Sequence, residues 1–205
     1  MKLLVISNPV DLPDEAAIIN QLFASGLEIL HLRKPGAGTT SLEMLLNQIQ
    51  PEYYSGMALH QRYELAEQFG IKRLHFPEQY REQTTANHFR KFKEEGFTLT
   101  TSIHSWETLK GLDPVWGYVF FSPVFTSISK PGYQSAVSSD FYLPESYKHL
   151  PVIALGGVNS QNIHQIKKMN FDGAAVLGAI WLEPQKAVEE FNKIKELCSL
   201  NAPMY

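Results

Sequence analysis

The sequence lacks most of the features that mark secreted, membrane-bound and nucleic-acid-binding proteins. Its 205 residues include one cysteine, Cys198, so no internal disulfide can form. No apolar run approaches the roughly 18 residues of a membrane span, and the apolar stretch at the N-terminus is too short for a signal peptide. Lys and Arg form no cluster and the net charge is −3, which argues against a nucleic-acid partner. We therefore expect a cytoplasmic protein that binds neither membranes nor nucleic acids.

The chain alternates short apolar runs with longer amphipathic ones from end to end. Several of the short runs are continuously apolar, which is typical of parallel strands buried on both faces. An open doubly wound sheet would more often have five or six strands and a Gly-rich turn after the first. Eight units instead favour an α/β fold of one domain, a (β/α)8 TIM barrel over residues 1–205. The predicted strands are Leu3–Ser7, Ile29–Leu32, Met57–His60, Arg73–Phe76, Thr98–Ser102, Tyr118–Ser122, Val152–Leu155 and Ala174–Leu177.

The helical signals are clear in most units and weak in the sixth. Ser160 is predicted to cap the seventh helix, and Asn170 to end it in a left-handed conformation. The stretch 122–147 is rich in Ser, Pro, Gly and Tyr and has little helical periodicity. Long loops in compact domains are commonly lids or binding loops. The sequence does not decide whether residues 123–147 close over a ligand, or which oligomer the protein forms.

The loops after the last two strands carry the strongest functional pattern. Barrel enzymes bind their ligands at the carboxyl ends of the strands, often with a phosphate after strands seven and eight. Gly156 and Gly157 follow strand seven, and Gly178 and Ala179 follow strand eight. Glycine lets backbone N–H groups approach an anion closely, and the helices that follow add the positive ends of their dipoles. We predict a phosphate site here; the alternative is that the glycines only turn tight corners.

Four histidines end four consecutive strands: His31, His60, His75 and His104. A metal cluster is one interpretation, since neutral imidazoles are good ligands. Apart from Glu78, however, no carboxylate lies at those strand ends, so we expect no bound metal. His75 has apolar neighbours and is interpreted as a buried, hydrogen-bonded residue. His104 follows Ser102 at a spacing of two, so both can face one side at the barrel rim.

Cationic and hydroxyl side chains complete the candidate site. Arg33 is in phase with His31 and can hold a carboxylate or phosphate in bidentate fashion, unless it forms a structural ion pair. Ser127, Ser129 and Lys130 supply two hydroxyls and a cation on the sixth loop, unless that loop is simply solvated.

Taken together, five segments resemble the thiamine-phosphate synthase and thiazole tautomerase family, and the resemblance covers almost the whole chain. They are Leu32-Arg33, Ser102-Ile103-His104-Ser105, Pro123-Val124-Phe125 with Ser127-x-Ser129-Lys130, Ala154-Leu155-Gly156-Gly157-Val158, and Ala175-Val176-Leu177-Gly178-Ala179-Ile180. Members of this family are similar (β/α)8 barrels that bind thiazole phosphate on the loops after strands seven and eight. The small-molecule ligand expected here is therefore a phosphate ester.

The resemblance implies one of two chemistries. Synthases join a pyrimidine pyrophosphate to thiazole phosphate with Mg²⁺, which is held by aspartates in N-D-R and G-Q-E-D motifs. Gln61 and Tyr80 occupy those two places here, which should weaken Mg²⁺ binding unless Glu78 or substrate oxygens compensate. His31 replaces the Gln of the synthase Q-L-R-x-K pattern, and its Lys has moved to Lys34, which reverses its facing if the strand continues.

Tautomerases of the family move a proton on a carboxythiazole phosphate without a metal or other cofactor, and their acid/base resembles His104. Because the two metal-binding aspartates are missing, the sequence slightly favours a tautomerase. His104, Arg33 and Lys34 are then the expected catalytic residues, and His31, Ser102, Ser127, Ser129 and Lys130 the expected substrate contacts. The alternatives are a synthase that uses Mg²⁺ at a reorganised site and a non-catalytic binder of thiazole phosphate.

Overall fold

A computed structural model of the chain describes residues 1–126, 137–138 and 140–199. Eight parallel strands pair in chain order, and β1 also pairs with β8, so the sheet closes into a barrel. The predicted fold is confirmed, and three of the eight strands have the predicted bounds. The strands are β1 (Lys2–Ile6), β2 (Ile29–Leu32), β3 (Met57–Leu59), β4 (Arg73–Phe76), β5 (Thr98–Ile103), β6 (Trp116–Phe121), β7 (Val152–Leu155) and β8 (Gly173–Val176).

The strands are apolar on both faces because one face packs inside the barrel and the other packs against the helices. Successive side chains point to opposite sides of a strand. In β1, Leu4 and Ile6 join the cluster inside the barrel, which also holds Phe120 and Ile153, whereas Val5 packs outward under the helices. This division explains the continuous apolar runs in the sequence.

Helices surround the barrel and join most of the successive strands. Asn170 ends the seventh-unit helix with φ of +65°, as predicted. The predicted Ser160 cap is wrong: the helix starts at Ile163, and Asn162 accepts from the Asn159 amide instead. Asparagine competes well with serine here because its side chain can form such a local turn. The helices are α1 (Glu15–Ala24), α2 (Thr39–Leu46), α3 (Leu65–Gln68), α4 (Glu78–Glu82), α5 (Ala86–Glu94), α6 (Trp106–Lys110), α7 (Ile163–Lys168), α8 (Gly178–Trp181) and α9 (Ala187–Ser199).

The sixth unit departs from the alternation, as its composition predicts. Between β6 and β7, the described residues contain one short 3-10 turn, Glu145–Tyr147, and no α-helix. Phe141 covers this side of the barrel by stacking on Phe121, with ring centroids 6.1 Å apart. Within the described ranges, none of the helices is both long and apolar enough to cross a membrane.

Candidate active site

A cleft of about 430 Å³ opens at the carboxyl ends of the strands. It contains three of the predicted site residues, Arg33, Ser102 and His104, although they come from two different strands and the loops after them. The full lining is Ile6, Arg33, His60, His75, Pro77, Glu78, Gln79, Glu82, Ser102, His104, Phe120 and Leu155. This is the face on which barrel enzymes carry their active sites.

His104 lies on the rim of the cleft just after β5, about half exposed. Its Nδ1 is 2.7 Å from the Ser122 carbonyl oxygen, which can only accept, so Nδ1 carries the proton of the neutral ring. Nε2 is then the basic nitrogen, and Glu78 Oε2 lies 3.8 Å from it. The arrangement fixes the tautomer of His104 and leaves one nitrogen able to exchange a proton.

Arg33 follows β2 and is half-buried in the cleft. Ser7 holds its backbone at both ends, because Ser7 Oγ accepts from the Arg33 amide at 2.8 Å and donates to its carbonyl at 3.1 Å. Within the described part of the chain, no carboxylate forms an ion pair with the Arg33 guanidinium. Burial lowers the pKa of Arg33. The structural ion pair considered as an alternative is therefore not found there, and the guanidinium is available for an anion.

Three other histidines meet at the floor of the cleft. His31 is fully buried; its Nδ1 is 2.9 Å from His60 Nε2 and its Nε2 is 2.6 Å from Tyr118 Oη. His75 lies between hydroxyls, with Nδ1 2.8 Å from Thr100 Oγ1 and Nε2 3.2 Å from Ser102 Oγ. The interpretation of His75 as buried and hydrogen-bonded is confirmed. His31, expected to touch the substrate, instead lies beneath His60 and supports it.

Burial keeps these three imidazoles neutral. Desolvation lowers the pKa of His75 to about 3, and it places the pKa of His31 and of His60 well below the ordinary value. The positive charge of Arg33 adds to the effect at His60 and His75. Neutral imidazoles are able to accept hydrogen bonds and to bind metals.

The neutral cluster predicts that the protein loses stability in mild acid. Unfolded histidine takes up a proton below pH 6.5, whereas folded His75 does so only near pH 3, so unfolding takes up a proton between these values. The free energy of unfolding should fall as pH drops from 6.5 to 5, with a slope for each such histidine that grows from about 0.7 kcal/mol per pH unit at 6.5 toward about 1.4 near pH 5. Urea unfolding across this range measures the slope. His75→Gln should reduce it by about one proton; an unchanged slope in that variant would contradict the assignment.

Lys34 does not line the cleft, although it was predicted to be catalytic. Its side chain is 1% exposed and forms an ion pair with Glu15 of α1, with Asp11 3.5 Å away. Lys34 Nζ also donates to the Val10 carbonyl at 2.8 Å. The physical reason is that the alternation of β2 continues just past its end at Leu32, so Arg33 faces the cleft and Lys34 the helix layer.

The loop after β7 is held in a conformation that requires glycine. Gly156 and Gly157 have φ of +101° and +66°, and a Cβ on Gly157 would lie 2.4 Å from the Thr126 carbonyl oxygen. The loop after β6 packs directly on this turn, with the Phe125 amide donating to the Gly156 carbonyl at 3.0 Å. Tight packing thus explains these glycines at least in part. Among the described residues, no carbonyl accepts from the amides of Gly157, Gly178 or Ala179, which leaves these donors for a ligand.

Gly157→Ala is expected to destabilise the protein by more than backbone strain alone. Gly70 has a closely similar φ of +65° but open space around it, so Gly70→Ala is the matched control. Both variants incur the cost of a left-handed alanine, about 1–2 kcal/mol. Gly157→Ala should lose about 1–3 kcal/mol more because of the clash with Thr126 and Phe125. Denaturant unfolding of both variants measures the difference, and equal losses would show that the contact does not constrain position 157.

Two residues stand where synthases of the similar family have their Mg²⁺-binding aspartates, and neither fits Mg²⁺. Gln61 is neutral and its Nε2 donates to the Lys34 carbonyl at 3.1 Å. Tyr80 stacks on Phe76 with ring centroids 5.5 Å apart. Glu78 is in the cleft, but its Oε1 already accepts from Arg81 at 2.9 Å. Magnesium needs oxygen ligands in octahedral geometry, usually including free carboxylates, and this set does not supply them.

Some predicted site residues lie outside the described residues, and the sequence did not predict others that lie in the cleft or inside the barrel. Ser127, Ser129 and Lys130 fall within 127–136, outside the described residues. Sequence reasoning did not place His60 or Glu78 among the site residues, although both line the cleft. His60 follows β3 directly and Glu78 comes two residues after β4, and these positions were the available signal. Tyr118 was also missed; its register on β6, two residues before Phe120, could have placed it inside the barrel.

Comparisons with known proteins agree with the fold. The family model described as thiamine monophosphate synthase matches residues 3–180. A thiamine-phosphate synthase from Lysinibacillus sphaericus is 27% identical over 172 residues, which are 80% of this chain and 79% of the relative. The crystal structure of a thiamine phosphate pyrophosphorylase from Bacteroides thetaiotaomicron is 29% identical, covers 98% of this chain and 100% of that one, and has a TM-score of 0.74.

A second solved structure supports the fold alone. The thiamine phosphate pyrophosphorylase from Pyrococcus furiosus is 16% identical, with a TM-score of 0.75 over 96% of this chain and 94% of that one. The relatives named here are synthases, so the comparisons favour the synthase alternative over the tautomerase. The match over residues 3–180 shows that the chain belongs to the thiamine monophosphate synthase family.

Proposed function

We propose that the protein catalyses the synthase reaction, joining a pyrimidine pyrophosphate to thiazole phosphate with release of pyrophosphate. The observation that carries the proposal is the cleft itself, which Arg33 lines at the carboxyl ends of the strands with no carboxylate partner among the described residues. The amides of Gly157, Gly178 and Ala179 lie at the same end of the barrel, and no carbonyl of the described residues accepts from them. Two anionic groups, one on each substrate, thus have separate partners, and the family of the chain fits this reaction.

The substrates would be held at opposite sides of the barrel mouth. The amides after β7 and β8 would donate to the phosphate of the thiazole, because backbone N–H groups at such turns favour anions. Arg33 would bind the pyrophosphate through two parallel hydrogen bonds. As the bond to pyrophosphate breaks and the bond to the thiazole nitrogen forms, negative charge grows on the leaving group. Arg33 would stabilise that charge with a donor set that is already in place.

His104 would assist at the rim of the cleft. Its basic Nε2 could accept a hydrogen bond from the aminopyrimidine or, once protonated, donate one to the departing pyrophosphate. Ser102 lies beside it in the cleft and offers a hydroxyl for orientation. Because the residues at the family's metal positions do not fit Mg²⁺, these roles are carried by side chains of the chain alone.

A tautomerase is the second candidate, favoured by one specific observation. His104 has a fixed tautomer and an available Nε2, as proton transfer requires, and such a residue typically contributes 10²–10⁴-fold to a rate. Arg33 would then hold the substrate carboxylate. The comparisons do not favour this reaction over the synthase.

One assay separates the candidates. Purified protein is given pyrimidine pyrophosphate and thiazole phosphate, with and without Mg²⁺, and pyrophosphate release is measured beside ring-proton exchange of carboxythiazole phosphate. The proposal expects pyrophosphate release that stops when either substrate is omitted. Proton exchange that depends on His104, without pyrophosphate release, would establish the tautomerase instead. Thiazole phosphate that raises the melting temperature while neither reaction occurs would indicate a non-catalytic binder.

A further inference from the structure

The three histidines beneath the cleft form a cluster that the proposed reaction does not use. His31, His60 and His75 come from three consecutive strands or their ends, and one ring nitrogen of each lies within 4.8 Å of the others. They are arranged around the inner side of β6, where the Phe120 ring centroid is 4.7 Å from that of His31. His60 and His75 also line the cleft, so the cluster is reachable from it.

Hydrogen bonds on both ring nitrogens fix the orientations of His31 and His75. His31 and His75 each form a hydrogen bond through one nitrogen to a hydroxyl, on Tyr118 and Thr100 respectively. The remaining nitrogens, His31 Nδ1 and His75 Nε2, are on the opposite side of their rings and point toward His60 and Ser102. His31 and His75 thus each have an oxygen partner that fixes the ring, as metal-bound histidines usually have in the second layer.

We propose that His31, His60 and His75 bind one divalent transition-metal ion, of which Zn²⁺ and Co²⁺ are suitable examples, through one nitrogen each. Metal–nitrogen bonds of about 2.0–2.1 Å in tetrahedral geometry hold the nitrogens roughly 3.3 Å apart. The hydrogen-bonded pair His31 Nδ1 and His60 Nε2 is 2.9 Å apart, and the widest pair is within 4.8 Å. Small ring movements therefore form the site, chiefly at half-buried His60, which lies beyond the end of β3.

The chemistry of the donors decides which ion binds. Three imidazoles and no carboxylate suit zinc-like ions and not magnesium or calcium, which prefer oxygen. A three-histidine site leaves a fourth position, and here it opens toward the cleft. The charge of Arg33 reaches His60 and His75 and opposes a bare dication. The fourth ligand is therefore an anion, such as hydroxide or a phosphate oxygen, that lies between the metal and Arg33.

Untagged, metal-free protein titrated with cobalt chloride tests the site. The expected result is one cobalt per chain with the visible absorption of a tetrahedral site, its displacement by Zn²⁺, and a higher melting temperature with metal. His60→Gln should weaken cobalt binding by roughly 100-fold or more, because second-layer changes alone cost 10–100-fold. Inorganic phosphate added to the wild-type complex should strengthen binding.

Matched variants make the result decisive. His164→Gln removes an exposed histidine on α7, far from the cluster in the fold, and should bind cobalt like the wild type. Far-ultraviolet circular dichroism checks that His60→Gln is folded, and His31→Gln provides a second test of the same site. No tetrahedral band in the wild type would overturn the proposal, as would equal binding by folded His60→Gln. This outcome is independent of which reaction the protein catalyses.

Discussion

Lys34→Met is expected to lower the free energy of unfolding by about 3–5 kcal/mol, the cost of leaving a buried carboxylate without its cation. Lys34 and Glu15 are 1% and 2% exposed at their side chains, and they form an ion pair between β2 and α1. Desolvation raises the pKa of Glu15 even with Lys34 present. Without the lysine, Glu15 must be ionised in an apolar setting or take up a proton. Urea unfolding at pH 7 measures the loss.

A double variant and a pH series separate this explanation from lost packing. Glu15→Leu combined with Lys34→Met removes both charges, so most of the lost stability should return. The deficit of Lys34→Met should also shrink as pH falls toward 5, because protonation neutralises Glu15. A deficit that the double variant retains and that does not change with pH would show that the aliphatic stem of Lys34, not its charge, stabilises the fold.

Arg33→Ala is expected to lower kcat/KM for pyrophosphate release by about 10²–10³-fold, the usual cost of removing one preorganised group that stabilises developing charge. The guanidinium is half-buried in the cleft and has no carboxylate partner among the described residues. Its loss should therefore affect catalysis much more than folding. Steady-state kinetics with both substrates measures the change.

Arg33→Lys is the matched control for charge. Lysine keeps the positive charge but loses the planar, two-pronged donor set, so its activity should lie between those of alanine and arginine. The melting temperature of both variants should stay within a few degrees of the wild type, because the backbone bonds from Ser7 remain. Full activity in Arg33→Ala would contradict the role assigned to this residue. A large fall in melting temperature would instead indicate a structural one.

The barrel could be predicted because its signals are local. The strands are short apolar runs, and strict alternation with helices leaves few other topologies. Asn170 was recognised because asparagine tolerates positive φ, whereas Ser160 failed because Asn159 and Asn162 form a competing turn. The bounds of β6 were missed because Trp116 and Gly117 continue the strand past its most apolar segment.

The site could be predicted only in part, because it depends on which way each side chain points. Arg33, Ser102 and His104 line the cleft, in agreement with their positions at strand ends, and their roles there stay predictions. Lys34 was not, since a shift of one residue turns it into the helix layer. The meeting of His31, His60 and Tyr118 depends on the closure of the barrel, which brings β6 across from β2. No local pattern encodes that contact.

A crystal structure of the protein with thiazole phosphate bound tests the central claim most directly. The claim is that the phosphate binds at the loops after β7 and β8 and that the thiazole ring extends into the cleft. The predicted result is a phosphate within hydrogen-bond distance of the Gly157, Gly178 and Ala179 amides, with the ring facing Arg33 and His104. A phosphate bound elsewhere, or a ring that points away from this cleft, would contradict it.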